Sequence, residues 1–360
     1  MASHSLLSLQ VPKPSPPPLL RASSTTAVQC PPQSLEERFG RKGIKFSDSD
    51  VVPAVELTVR NGSSLKLRIP DGIITSYRPK VYWKDDGFEE VFHTIGDGDS
   101  SVKGGLGLIL NDVSQDGSPW SASEWVVKDS DSDSIDAVQV ELSCTNGDGS
   151  LDITYVVSLY PISISTAVIV QNNGTKPTKL ASAMLSHIRF KNRGGSAIQG
   201  LQGCSYCSHP PLASSFSILS PSDAMEPDPP GWFSFFDSPS QEKVSPNIDE
   251  PEAWKVEDDM YTVLKRKFSR VYAAPPSERR KRIYNTSPSK YQTIDQGSKL
   301  GFRVIRMGYE DIYIGTPGAL SLNYGKNYFI CTGPASMLVP VILEPGDQWR
   351  AAQVIEHDNL

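Results

Sequence analysis

The sequence has little of what marks several large classes of protein. Five cysteines are spread over 360 residues, and this sparse, uneven set does not suggest a disulfide framework. No stretch reaches the roughly 18 uninterrupted apolar residues of a membrane-spanning helix, and the nearest, residues 156–170, contains Tyr160-Pro161 and several serines. Dinucleotide fingerprints, phosphate-binding loops and iron–sulfur spacings are also missing, so we expect no cofactor. The net charge of −6 gives no general affinity for nucleic acid.

The first 35 residues contain no Asp or Glu, although they hold Lys13, Arg21 and many Ser, Pro and Leu residues. An acid-free, Ser-rich leader with scattered basic residues is typical of an organellar transit peptide, and the scarcity of Arg favours the plastid. The alternative interpretation is an ordinary disordered tail. We therefore expect residues 1–35 to be a chloroplast transit peptide, residues 36–50 a linker, and residues 51–360 the folded domain.

Alternation of apolar and polar residues dominates the remainder, whereas no long stretch has an apolar stripe at helical spacing. Residues 55–60 and 65–69 alternate on either side of Asn61-Gly62, which is a strong hairpin signal. Residues 151–157 and 163–170 form a second apparent pair of strands. Many short strands separated by turns predict an all-β sandwich or barrel with few short helices.

Residues 208–254 interrupt this pattern with a stretch that is rich in Pro and Ser but also aromatic. Disordered linkers are usually poor in aromatic residues, and a long loop inside a compact domain normally has a function. One interpretation is a lid that packs on its own domain. The other is a partner-binding insertion in which four aromatic side chains form the hot spot: Trp232, Phe233, Phe235 and Phe236.

Several motifs, in a consistent order, resemble one enzyme family. Residues 328–334 (Tyr-Phe-Ile-Cys-Thr-Gly-Pro) and 340–349 (Pro-Val-Ile-Leu-Glu-Pro-Gly-Asp-Gln-Trp) are similar to the two closing strands of the aldose 1-epimerase, or galactose mutarotase-like, family. Residues 72–77, 200–206 and 268–272 resemble its G-x-x-[IV]-T-S-[WY], G-L-x-G-x-x-Y and V-D-R-[VI]-Y segments. The resemblance covers most of the chain after residue 65 and implies a galactose mutarotase-like β-supersandwich.

The residues that the family uses for catalysis are missing or displaced. Mutarotation of a sugar requires a positioned acid and a positioned base, and the resemblance implies two histidines and a Glu for these roles. The H-G-x-x-R segment has no counterpart, because no His occurs between Gly105 and Trp125. His187 lies one place from the second motif position; one interpretation is a relic of the motif, and the favoured one is an ordinary, partly buried histidine. The family's Glu corresponds to Gly333 and the Asp of its V-D-R-[VI]-Y segment to Ser269, so we expect no catalytic residues and no enzyme activity.

Two further clusters have plain structural interpretations beside functional ones. Cys204, Cys207 and His209 form a C-x-x-C-x-H pattern, but a structural zinc site usually needs a second ligand pair, so we expect no metal. The only concentrated positive charge is Arg279, Arg280, Lys281 and Arg282, near Arg270. Such a run is most often a solvated surface. It could instead dock an acidic partner or anionic lipid headgroups, or bind a phosphorylated sugar if Arg270 faced the family's cleft.

A plastid-targeted, non-catalytic chain of this kind resembles the mutarotase-like subunit of subcomplex B in the chloroplast NADH dehydrogenase-like (NDH) complex. The resemblance implies a peripheral subunit on the stromal side of the thylakoid membrane, in contact with other subunits of that subcomplex. Its role would be to assemble or stabilise a complex that supports cyclic electron flow around photosystem I and chlororespiration. The alternatives are an active hexose or hexose-phosphate mutarotase and a non-catalytic sugar-binding module.

Overall fold

Antiparallel strands in two large sheets make up most of the computed structural model. It describes residues 33–47, 52–82, 84, 87–96, 102–114, 120–133, 136–226, 253–281 and 283–359. Residues 34–360 form one compact unit. The described residues do not include residues 1–32 of the predicted transit peptide. They also do not include Trp232, Phe233, Phe235, Phe236 and Arg282.

Strands greatly outnumber helices along the described part of the chain. The helices are α1 (Leu35–Phe39), α2 (Pro221–Met225) and α3 (Pro276–Arg279), and short 3₁₀ turns occupy Arg193–Gly195 and Gly318–Tyr324. The first strands are β1 (Ile44–Ser47), β2 (Ala54–Thr58), β3 (Ser64–Arg68), β4 (Ile73–Arg78), β5 (Thr94–Ile95), β6 (Lys103–Gly104), β7 (Leu106–Asp112), β8 (Trp120–Ser121), β9 (Val126–Ser132), β10 (Val138–Thr145), β11 (Leu151–Leu159) and β12 (Ser163–Asn172). They are followed by β13 (Thr178–Phe190), β14 (Ser196–Gln199), β15 (Ser205–Ser208), β16 (Trp254–Val256), β17 (Tyr261–Val263), β18 (Phe268–Tyr272), β19 (Lys290–Asp295), β20 (Leu300–Met307), β21 (Asp311–Thr316), β22 (Tyr328–Leu343) and β23 (Gln348–Asn359).

The strands form two extended sheets and one small one. The large sheet has twelve strands in the order β1-β2-β3-β4-β7-β13-β22-β21-β18-β15-β16, with β8 beside β7. The second sheet has nine strands in the order β17-β14-β19-β20-β23-β12-β11-β10-β9, and β5 pairs with β6 alone. The predicted all-β sandwich with few short helices is therefore confirmed. No helix among the residues described is long and apolar enough to span a membrane.

The main core lies between the two sheets and follows directly from the alternating sequence. Along β12 buried and half-buried residues alternate from Ser163 to Asn172, so Ile164, Val168 and Val170 point into the sandwich. The two predicted strands at residues 151–157 and 163–170 are confirmed as β11 and β12, which pair in a continuous antiparallel register. Each fully buried aliphatic side chain of this kind contributes about 1.5–3 kcal/mol by leaving water.

Residues 36–47, which the sequence predicted as part of a linker, belong to the fold. Ser34 and Glu37 form a reciprocal capping box at the start of α1, with N···O distances of 3.1 and 3.2 Å. Phe39 at the end of that helix is buried, and its carbonyl oxygen accepts a hydrogen bond of 2.6 Å from Ser130 Oγ. β1 then pairs with β2 in the large sheet. The linker prediction was therefore wrong for these residues, because the capping box and the pairing of β1 with β2 tie them to the domain.

The acidic stretch at residues 129–136 begins as strand. Its first four residues lie in β9, at the edge of the second sheet and paired with β10. Charged side chains on an edge strand discourage pairing with other chains. Asp129 and Asp131 are accordingly exposed to solvent on this edge strand.

Candidate functional site

The positions that correspond to the family's catalytic residues lie in β13, β18 and β22 of the large sheet. Neighbouring residues on these strands face away from the second sheet and form an apolar cluster of their own, separate from the main core. Its members on the central strands are Ile109, Leu185, Val271, Tyr313, Cys331 and Ala335. A sugar site would need polar groups open to water here, whereas this face of the sheet is largely apolar.

The described beginning of the 208–254 segment covers this face. Phe216 is 4% exposed, belongs to the same apolar cluster, and meets the His187 ring edge-on at 5.9 Å between centroids. Its carbonyl oxygen accepts a hydrogen bond of 2.6 Å from the amide of Gly104. A side chain at Gly107 would lie 2.9 Å from the Phe216 ring, so this glycine permits the close packing. The part of the segment that the structure describes therefore packs on its own domain.

The other end of the same segment reaches the same cluster. Trp254 is half-buried against it, as is Leu212. Between these anchors Ile218 and Leu219 are buried, and Ser220 caps the short helix α2 through the amide of Asp223 at 3.1 Å. The four aromatic residues predicted as a hot spot lie outside the described residues.

His187 is completely buried and electrically neutral at ordinary pH. Its Nδ1 donates to the carbonyl oxygen of Gly105 at 3.1 Å, whereas its Nε2 has no partner among the described residues. Burial lowers the pKa of His187 to about 4, because the charged imidazolium would lose its hydration. Its ring packs between Phe216 and Phe329. A neutral imidazole in this position has no route to a dissolved sugar.

A second histidine, which the sequence did not single out, lies beside the first. His93 is 3% exposed and stacks on Phe329 at 4.8 Å, and its Nε2 donates to the carbonyl oxygen of Tyr324 at 2.9 Å. The amide of His93 donates to the carbonyl oxygen of His187 at 2.8 Å. Burial lowers the pKa of His93 as well. Because this pairing joins segments about 90 residues apart, no local motif in the sequence could have indicated it.

Ser269 replaces the expected carboxylate and has all its hydrogen bonds supplied from within the protein. Its hydroxyl donates to the carbonyl oxygen of His209 at 2.6 Å and lies 2.9 Å from the Tyr313 hydroxyl. Burial raises the pKa of Tyr313 well above its ordinary value, so this hydroxyl stays protonated. The pair is a neutral, closed contact that offers no base.

Gly333 occupies a place where no side chain fits. A Cβ atom built there would lie 1.8 Å from the carbonyl oxygen of Met184 and 3.0 Å from Oε1 of Gln353. Gly333 pairs with Tyr313 of β21, while Met184 lies in the neighbouring strand β13. A Glu at this position would therefore require the large sheet to open.

The predicted basic docking run divides into a buried residue and an exposed pair. Arg279 forms ion pairs with Glu310 at 3.3 Å and with the fully buried Asp311, and its side chain is only 10% exposed. Arg280 and Lys281 are exposed. Arg279 is therefore held in a structural ion pair, contrary to the prediction that it is available for docking, because Asp311 requires a buried counter-charge.

The remaining candidates are also accounted for by local contacts. Arg270 lies over the Tyr206 and Phe268 rings at 4.2 and 4.5 Å, and its Nη1 is 3.3 Å from Oε2 of Glu257. Cys204 and Cys207 are free thiols, and no group of metal-ligating residues occurs in the described part of the chain. Two surface recesses, one beside Arg189 and Glu90 and one beside Arg279 and Trp349, include none of the degenerate catalytic positions.

Comparison with solved structures gives the fold. The chain superposes on a candidate mutarotase, YeaD, from Salmonella typhimurium with a TM-score of 0.61 and 14% identity, over 89% of this chain and 95% of that one. A galactose mutarotase-like protein from Clostridium acetobutylicum gives a TM-score of 0.54 and 10% identity, over 88% and 98% of the two chains. These likenesses confirm the predicted mutarotase-like sandwich.

Comparison by sequence adds one plant protein. No family model matches the chain. The chain is 25% identical over 348 residues to the protein NDH-dependent cyclic electron flow 5 of Arabidopsis thaliana. The aligned region covers 95% of this chain and 87% of that protein. The chain therefore has the galactose mutarotase-like fold, and over nearly its whole length it is similar to a protein named for NDH-dependent cyclic electron flow.

Proposed function

We propose that the chain is a non-catalytic structural subunit of the chloroplast NDH complex, in the position of its photosynthetic subunit of subcomplex B 2. The observation that carries this proposal is the similarity over 95% of the chain to a protein named for NDH-dependent cyclic electron flow. In this role the protein assembles or stabilises the complex and so supports cyclic electron flow around photosystem I and chlororespiration. It is peripheral to the thylakoid membrane, on the stromal side.

The closed site supports a role without catalysis. Mutarotation requires an acid and a base that both reach the sugar. His187 is buried under Phe216, the hydroxyl of Ser269 is bound by its neighbours, and Gly333 has no room for a carboxylate. The fold then serves as a rigid scaffold. The partner contacts proposed for it involve the aromatic residues 232–236 and the basic residues Arg280, Lys281 and Arg282.

The test is to remove the chain and to follow the complex. We expect plants that lack it to lose the intact NDH complex on native gels and to lose NDH-dependent cyclic electron flow. Mass spectrometry of the wild-type complex should find this chain in the same band. An intact, functional complex in plants without the chain would contradict the proposal.

An active hexose or hexose-phosphate mutarotase is the second candidate, and one observation favours it. His187 keeps an Nε2 atom without a partner among the described residues, directly beneath Phe216. Polarimetry on glucose, galactose and glucose 6-phosphate decides between the two. Catalysis that disappears in His187→Ala would favour the enzyme, and calorimetric titration with the same sugars would detect binding without turnover. We expect neither turnover nor heat of binding.

A further inference from the structure

The outer face of the second sheet has an apolar centre that the described helices leave uncovered. An antiparallel sheet with one face in water normally carries polar residues on that face. Here the outward positions at the middle of four adjacent strands are apolar, and we call them the outer patch: Val156, Ala167, Ile169, Ile305, Ala352 and Val354. All six are only partly buried, whereas their strand neighbours Ile164, Val168, Val304 and Ile355 point into the core.

Strand register makes these side chains contiguous. Ile305 pairs with Val354, Ala352 pairs with Ala167, and Ala167 pairs with Val156 on the next strand. With strands about 4.8 Å apart and same-face residues about 6.8 Å apart, the Cα atoms of the patch span about 14 Å in each direction. Met307 extends it at one margin and is 54% exposed.

The patch has the composition of an interface core surrounded by a polar rim. Charged side chains are absent from its centre, where Ser165 and Thr154 fill the remaining outward positions. At the rim Arg303 and Glu356 neutralise each other at 3.1 Å, and Glu141 lies beside Val156 at the β10 margin. The patch covers only the central part of the roughly 800 Å² per partner that a standard interface buries, so a partner would also contact the rim.

Two basic groups in the row of Ile169 indicate the charge of the partner. Arg350 is the cross-strand neighbour of Ile169, and Lys128 Nζ reaches over to Thr154 Oγ1 at 3.2 Å, beside Ile169 on the other side. Neither has a carboxylate within salt-bridge distance among the described residues, and both side chains are exposed. Acidic side chains on a partner would pair with both. A bilayer is a poorer match, because the six patch residues are aliphatic and include no aromatic side chain to anchor in a lipid interface.

We propose that the outer patch is the docking surface for a neighbouring protein subunit that presents an apolar surface with acidic side chains opposite Arg350 and Lys128. This deepens the proposed function, on which it rests for the identity of the assembly. It also explains why one outer face of the sandwich is covered by the chain's own Phe216 segment while the other remains partly exposed. A scaffold needs one such face free for assembly.

The first experiment compares two substitutions with the same change of charge on the same sheet face. Ala167→Arg places a cation at the centre of the patch, whereas Thr145→Arg places it at an exposed position outside, opposite Asp152. Both positions point outward, so we expect both variants to fold, which circular dichroism and thermal unfolding of the purified proteins check. Ala167→Arg buries an unpaired charge in the interface core, so the amount of this variant protein in the NDH band should fall by at least about tenfold. The amount of the Thr145→Arg protein in that band should not fall. Equal assembly of the two folded variants would overturn the inference.

The second experiment does not depend on the identity of the complex. Ala167→Cys and Thr145→Cys, each treated in thylakoid membranes with a short thiol-to-amine crosslinker, are analysed by mass spectrometry. The inference predicts that residue 167 crosslinks to peptides of another protein and that residue 145 does so much less. Crosslinks from residue 167 only to a second copy of this chain, to its own residues 227–252 or to lipid, or no crosslink at all, would overturn it. If the chain ran outside the NDH band while residue 167 still crosslinked to another protein, the proposed function would fail and the docking surface would stand.

Discussion

A single methyl group at Gly333 should destabilise the protein strongly. In Gly333→Ala the new Cβ would lie 1.8 Å from the Met184 carbonyl oxygen, where real contacts essentially never fall below 3.0 Å. The backbone of β13 must therefore move by more than an ångström. It cannot move freely, because Met184 is fully buried and paired with Leu108 of β7 on its other side. Overpacking of a core typically costs about 1–3 kcal/mol, and we expect a loss of about 3 kcal/mol or more in the free energy of unfolding.

The matched control is Gly147→Ala, in the turn between β10 and β11. A Cβ at Gly147 meets nothing within 4 Å. The same substitution there should leave stability unchanged or raise it by up to about 1 kcal/mol, because it restricts the unfolded chain. Urea unfolding followed by tryptophan fluorescence measures both variants. If Gly333→Ala were as stable as Gly147→Ala, the argument that this position has no room for a catalytic base would be refuted.

Three further outcomes follow from the buried site and the buried ion pair. Phe216→Ala should lower the free energy of unfolding by about 3–5 kcal/mol. It should also raise the pKa of His187 from about 4 towards its ordinary value, which an NMR titration would detect. An unchanged pKa would show that Phe216 does not shield His187 from water. The wild-type protein should lose stability as the pH falls from about 6.5 to about 4, because His187 binds a proton in the unfolded chain but not in the folded protein. His187→Asn should lose part of this pH dependence. Identical pH profiles of the two proteins in urea titrations would contradict the assignment. Arg279→Met should cost about 3–5 kcal/mol by leaving Asp311 buried without its counter-charge, whereas Arg280→Met at the exposed neighbour should stay within about 0.5 kcal/mol in thermal unfolding.

Local patterns in the sequence were sufficient to predict the fold class and several strands. The alternation over residues 151–157 and 163–170 is visible in the sequence and corresponds to β11 and β12. The capping box of Ser34 and Glu37 was also visible in the sequence, yet residues 36–50 were predicted to be a linker. Local signals are reliable where one face of a strand or helix is buried, because burial of that face requires apolar residues at the regular spacing of the element.

The closed state of the site depends on contacts that are distant in sequence. Phe216 covers His187 from 29 positions away in the chain, and Arg279 meets Asp311 from 32 positions away. The sequence predicted Gly333 and Ser269 to be degenerate positions, but it contained no sign that Met184 and Tyr313 lie against them. Only the register between strands β13, β22, β21 and β18 brings these groups together.

The anchoring of Leu212, Phe216 and Trp254 in one apolar cluster has a consequence for how this protein can vary between species. When both ends of a connection are fixed to the same surface, the entropy of closing it grows only slowly with its length, by about 0.6 kcal/mol per doubling. Insertions and deletions between the anchors should therefore be tolerated, while the anchors themselves should change little. Sequences of related chains, once aligned, should show gaps concentrated between residues 227 and 252, bounded by retained apolar positions on both sides.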